Sequence, residues 1–179
     1  MKFKSLVIAS ALSLTFPIAA MAAPTVTFQG EVTDQTCKAT INGQTDSTVL
    51  LPTVPTTELN AAGATTGLTP FSISVEDCSV DTADVVIGTK FLGHNVTAGG
   101  NLGNVATNNP AQNVSIQLTE KADGSAPVTL NGITKVDGLV LKQGDTSATH
   151  QFGAQYISEA GSATAGAVTA VAEYTLSYN

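Results

Sequence analysis

The run AVTAVAEYTLSYN, residues 167–179, alternates with a period of two. Val168, Ala170, Ala172, Tyr174, Leu176 and Tyr178 form one row, and Thr169, Glu173, Thr175 and Ser177 form the other, with Val171 the exception. Successive side chains of a strand point to opposite faces, so this pattern demands a half-buried β-strand and is incompatible with an amphipathic helix. The same period recurs in PFSISVEDC (Phe71, Ile73, Val75), QNVSIQLTEK (Val114, Ile116, Leu118) and HQFGAQYIS (Phe152, Ala154, Tyr156). DVVIGTKFLG is more continuously apolar and reads as a strand buried on both faces. VTLNGIT carries Asn131-Gly132, a hairpin signal. No segment has a helical period. About seven short strands separated by turn residues predict an all-β chain folded as a β-sandwich.

Two stretches are looser. Residues 41–70 are rich in Thr, Pro and Gly, with a short strand expected near Thr48–Leu51 and one helical turn near Thr57–Ala62. Residues 94–113 are polar and rich in Gly and Asn, and read as an exposed loop.

The first 22 residues differ in kind. Lys2 and Lys4 precede an apolar run from Leu6 to Ile18, and Ala20-Met21-Ala22 supplies an A-x-A cleavage site. This is a secretory signal peptide, cut after Ala22 or Ala23. The run is too short for a spanning helix, which needs about 20 apolar residues. The expected mature chain has 157 residues, enough for one domain with a real core. Its five basic residues, all lysines, face fourteen acidic ones, a net charge of −9. Nucleic-acid binding is excluded as a function class, because contact with phosphate requires a basic patch.

Cys37 and Cys78 are the two cysteines. An even count in a secreted chain points to a disulfide. Closing a loop of this length stabilises the fold by roughly 4 kcal/mol. No enzyme signature is present: there is no G-x-S-x-G, no H-E-x-x-H and no phosphate-cradling loop, so no catalytic residue, metal or cofactor is expected. His94 and His150 have no partners nearby in sequence and read as surface or loop residues. Glu76-Asp77 reads as a solvated turn pair.

PTVTFQGEV, residues 24–32, is a further alternating stretch, with Val26, Phe28 and Val32 on one side and Gly30 in the same row. Glycine weakens a strand interior and often marks close approach of another backbone. Three features now combine: this V-x-F-x-G-x-V stretch ahead of the first cysteine, a second cysteine closing PFSISVEDC, and a final strand, EYTLSYN, with a penultimate tyrosine. Together with VTLNGIT and QFGAQYIS they closely resemble the pilin subunits of chaperone–usher fimbriae, of the type 1 and P-pilus major-subunit kind.

The resemblance implies an incomplete immunoglobulin-like sandwich, completed by a donor strand from a neighbouring subunit. It implies a donor extension at residues 23–35, with Val26, Phe28, Gly30 and Val32 facing inward, ahead of a pilin domain at 36–179. It also implies a groove edge at Tyr174, Leu176 and Tyr178, with the terminal carboxylate of Asn179 anchored by a periplasmic chaperone. The implied partners are other copies of the chain, that chaperone, an outer-membrane usher and minor tip subunits. The implied location is a fimbrium on the bacterial surface. The other readings are a minor adaptor or terminator subunit, a self-contained secreted glycan-binding module, and a hydrolase or metal enzyme.

Overall fold

The computed structural model describes residues 30–178. The expected signal peptide, Val26, Phe28 and Asn179 lie outside the described residues. Eight strands are present among the described residues: β1 (Lys38–Ile41), β2 (Ala64–Glu76), β3 (Val85–Gly93), β4 (Leu102–Gly103), β5 (Ser115–Thr119), β6 (Ile133–Leu141), β7 (Ala148–Ser158) and β8 (Ala172–Tyr178). A 3-10 turn at Thr56–Leu59 answers the expected helical turn, slightly earlier in the chain.

The strands form two antiparallel sheets, ordered β1-β2-β7-β5-β4 and β6-β3-β8. Alternation places Phe71, Ile73 and Val75 of β2, Ile116 and Leu118 of β5, and Phe152 and Ala154 of β7 on the inner face of the larger sheet. Ile87 and Phe91 of β3 meet them from the smaller sheet, with Val136, Leu139 and Leu141 of β6. Phe152 stands at the centre. Its ring stacks on Phe71 at 5.5 Å and meets the edge of Phe91 at 5.4 Å. The offset-stacked and edge-to-face geometries are the favoured ones for aromatic pairs.

Four expectations are corrected. β3 is not buried on both faces: Val86 and Leu92 are exposed on the outer face, and no further sheet lies beyond the smaller one among the described residues. Asn131-Gly132 makes a turn, with Gly132 at φ +64°, but no hairpin. Pro127 bridges Thr119 and Val128 N–H donates to Leu118, so this segment begins beside β5 of the larger sheet, Leu130 N–H bonds the loop carbonyl of Gly100, and the turn carries the chain across to β6. The stretch 94–113 is not wholly exposed, since Asn101, Leu102 and Ala111 are buried and β4 adds to the sheet.

The fourth concerns His150, which is half-buried and has partners rather than standing free on the surface. It lies in the same β7 row as Phe152, packs edge-on against that ring at 4.6 Å and hydrogen-bonds the Glu120 carbonyl at 2.7 Å. Gly138, at φ +147°, makes room for it: a Cβ there would lie 2.5 Å from the imidazole. His94 is exposed as expected, 3.0 Å from Glu173.

Cys37 and Cys78 form the expected disulfide, with Cα atoms 4.0 Å apart. They flank the β1–β2 ladder, whose outermost pair is Lys38 opposite Glu76. The expected turn pair Glu76-Asp77 is divided: Glu76 ends β2 opposite Lys38, and only Asp77 lies in the bend beyond it, holding Lys38 at 2.7 Å.

Candidate functional site: an unpaired sheet edge

Among the described residues β8 lies at the edge of the smaller sheet and pairs on one side only, with β3. Backbone groups of successive strand residues point to alternate sides. The odd-numbered residues of this segment turn inward: the carbonyls of Val171, Thr169 and Ala167 accept from the N–H groups of His94, Val105 and Ala111. The even-numbered residues therefore turn their N–H and C=O groups outward, along an edge running from Val168 to Tyr178. Among the described residues only the last of these has a partner: Tyr178 N–H donates to the Glu31 carboxylate at 2.6 Å.

The side chains of the same even row point into the sandwich. Val168, Ala170, Ala172, Tyr174, Leu176 and Tyr178 are half-buried and pack against the core. The edge thus offers unpaired backbone and apolar surface together. Natural sheets usually cover, shorten or charge such an edge, because it templates pairing with another chain.

Residues 45–54 form the second wall. They alternate as a strand does, with Ser47, Val49 and Leu51 turned in and Leu50 out. The strand expected near Thr48–Leu51 is nevertheless not part of a sheet. No hydrogen bond joins the backbone of residues 45–54 to any described residue. The segment is extended because its apolar row packs on the core at Val49 and Leu51, not because a ladder holds it. It runs opposite to β8: the Asp46 carboxylate is near Tyr174, and Val54 and Val168 line one cavity at the other end. At that end Val54, Leu59, Val114, Tyr156 and Val168, with Thr53, Thr56 and Thr164, line a largely apolar, partly open cavity of about 220 Å³. Burial pushes the Tyr174 phenol up, with a smaller push from Asp46, and burial likewise raises Tyr178, with a smaller push from Glu31.

A cluster of polar contacts closes the Tyr178 end. The Glu31 carboxylate accepts from the Ser177 hydroxyl at 2.7 Å and from Tyr178 N–H, and lies 3.4 Å from Lys90 Nζ. The hydrogen bonds from Ser177 and Tyr178 hold the Glu31 carboxyl below its ordinary value, with a further contribution from Lys90. Val32, the next residue, is fully exposed at 102%, and Gly30, the residue before, is exposed as well.

The structure thus brings Tyr174, Leu176 and Tyr178 together on one edge and joins Cys37 to Cys78, while Gly30 and Val32 lie exposed. Sequence reasoning missed Glu31 and the second wall. The Ser47-Val49-Leu51 alternation was the signal for the wall. Nothing in the sequence pairs Glu31 with Tyr178, which is 147 residues away.

The sequence model of the family described as "Fimbrial protein" matches residues 26–179. The major fimbrial subunit SMF-1 of Stenotrophomonas maltophilia is 38% identical over 91% of this chain and 97% of its own. The minor fimbrial subunit HifD of Haemophilus influenzae is 39% identical over 86% of this chain and 73% of its own. Among solved structures, a subunit of a chaperone–usher pilus superposes with a TM-score of 0.57 at 20% identity, covering 91% of this chain and 99% of that one. The fold is that of the chaperone–usher pilins, an incomplete immunoglobulin-like sandwich. The matched relatives are structural fimbrial subunits, not enzymes.

Proposed function

The chain belongs to the fimbrial protein family, a component of the surface fimbrium, and on that premise we propose that it polymerises with copies of itself by strand donation. Residues 23–35 of one subunit lie along the β8 edge of the next, with Val26, Phe28, Gly30 and Val32 facing inward. The observation that carries this reading is the outward-turned backbone from Val168 to Tyr178, faced by a second wall, residues 45–54, equally free of partners among the described residues. An extended segment between them satisfies both sets of groups, and alternate side chains fill the space beneath. Burying one Val or Phe contributes roughly 1.5–3 kcal/mol, so the donated row supplies substantial binding energy.

Every ladder in both sheets is antiparallel, and an antiparallel donor continues that pattern. Val32 then enters the cavity beside Val168, and Gly30 follows where the wall leaves no room for a side chain. Before assembly the open edge is an aggregation hazard. A periplasmic chaperone strand covers it, holding the Asn179 carboxylate with basic residues, until exchange takes place at an outer-membrane usher. Minor tip subunits join the same fibre, which supports adhesion.

Replacing Gly30 with leucine tests the donor assignment. A Cβ on Gly30 meets no atom of the described residues within 4 Å, so Gly30→Leu is expected to keep its thermal midpoint and chaperone binding while losing boiling-sensitive, detergent-resistant ladders. Normal ladders overturn the assignment. The similarity to both a major and a minor subunit favours neither role over the other. Small size and a donor strand support the major rod subunit, and a trace band in sheared fimbriae would instead mark an adaptor or terminator. A self-contained glycan-binding module, by contrast, predicts a stable monomer whose only loss on deleting residues 23–33 is stability.

A further inference from the structure

We propose that Glu31 is the junction residue between consecutive subunits, bound to its own domain while the residues on either side enter the neighbour. The inference rests on the strand-donation reading above and adds what holds the base of the donated strand.

Three observations carry it. Glu31 is anchored from two elements, by Ser177 and Tyr178 of β8 and by Lys90 of β3. Val32 is wholly exposed and Gly30 is exposed. In an extended segment the side chain of residue 31 points opposite to those of residues 30 and 32. The face that a neighbour's groove would take is therefore open, while the opposite face is already tied to the chain's own C-terminal strand. The next tether toward the domain comes at Gln35, whose side-chain amide bonds Asp81 at 3.2 Å. Without the Glu31 contact, residues 31–34 would swivel freely between the donated strand and the domain. With it, the donated strand leaves from a fixed point at the end of β8, and the angle between successive subunits is restricted.

The anchor is charge-assisted on the carboxylate side, the stronger kind of hydrogen bond. It also occupies the outward N–H of Tyr178, the last position of the subunit's own edge. The incoming strand thus pairs from Val168 to Leu176, and the final position of the edge is filled from within.

The test uses the mature full-length chain, as wild type, Glu31→Ala and Ser177→Ala, with a synthetic peptide of residues 23–33 in wild-type and Glu31→Ala forms. Ser177 lies outside the donated segment, so its variant separates anchoring from donation. Amide exchange at Tyr178 is expected to be slow in wild-type monomer and polymer, and faster by about tenfold in Glu31→Ala, with Ser177→Ala between them. Both peptides are expected to bind the groove equally, and all three chains to form ladders. Unwound fibres of both variants are expected to bend more between subunits in electron micrographs. Three results overturn the proposal: Tyr178 exchange unaffected by Glu31→Ala in the polymer, variant fibres as stiff as wild type, or a Glu31→Ala peptide that binds markedly worse than the wild-type peptide. Failure of the wild-type peptide to bind, with no wild-type ladders, overturns strand donation itself and the junction with it.

Discussion

Phe152 and Glu31 show how differently single residues are specified. Phe152 is readable from its alternating strand, and its neighbours follow from packing two apolar faces together. It is 1% exposed and touches aromatic rings from both sheets. Phe152→Ala is expected to destabilise the domain by about 3–5 kcal/mol, measured by urea denaturation. Glu31 is one acid among fourteen, and only the folded chain places it against Ser177 and Tyr178. Its carboxyl sits below the ordinary value because the hydroxyl and amide donors favour the charged form. Its folded pKa is therefore lower than its unfolded one. The contact contributes stability above the usual carboxylate range and loses it as pH falls through the lowered value. A pH titration of the Tyr178 amide by NMR is expected to show a midpoint below that of an unperturbed glutamate. A midpoint at the ordinary value would remove Glu31 from this role.

At the scale of elements, the strands with clean alternation were legible and the ambiguous ones were not. β2, β5, β7 and β8 lie where the period placed them, since burial on one face enforces the register. β3 misled because an apolar outer face looks the same in sequence whether or not a further layer covers it. VTLNGIT misled because a turn dipeptide fixes a local bend, while Val128 found its partner in β5 of the larger sheet and Leu130 in the loop at Gly100. The stretch at 48–51 has strand chemistry and strand shape but no ladder among the described residues. β1 is a short edge element of four residues, tied at its outer end by the Cys37–Cys78 bond. Replacing both cysteines with serine is expected to cost about 2–5 kcal/mol, seen as a lower urea midpoint, with loss of β1 protection in hydrogen exchange ahead of β2. An unchanged midpoint would show that the bridge is dispensable.

For the molecule as a whole, strand donation as proposed above implies that the isolated subunit is less stable than the completed one. A strand that binds the folded state alone raises its stability in proportion to occupancy. At a free concentration a hundredfold above its Kd, a peptide of residues 23–33 adds about 2.7 kcal/mol. For a domain of this size that is a rise of roughly 5–10 °C in Tm. A peptide with Gly30 replaced by leucine is expected to give no such rise, and an equal rise would place the glycine elsewhere. Read alone, the residues already require that the chain is all-β, that its final strand buries one face, and that its cysteines can pair. Each of these follows from local period or from chemistry that needs no knowledge of neighbours. Folding was needed to show that, among the described residues, β8 ends a sheet, residues 45–54 face it without a ladder, and Glu31 closes its end. Hydrogen-bond pairing joins residues far apart in sequence, so an edge left unpaired is visible only once every other strand has found its place.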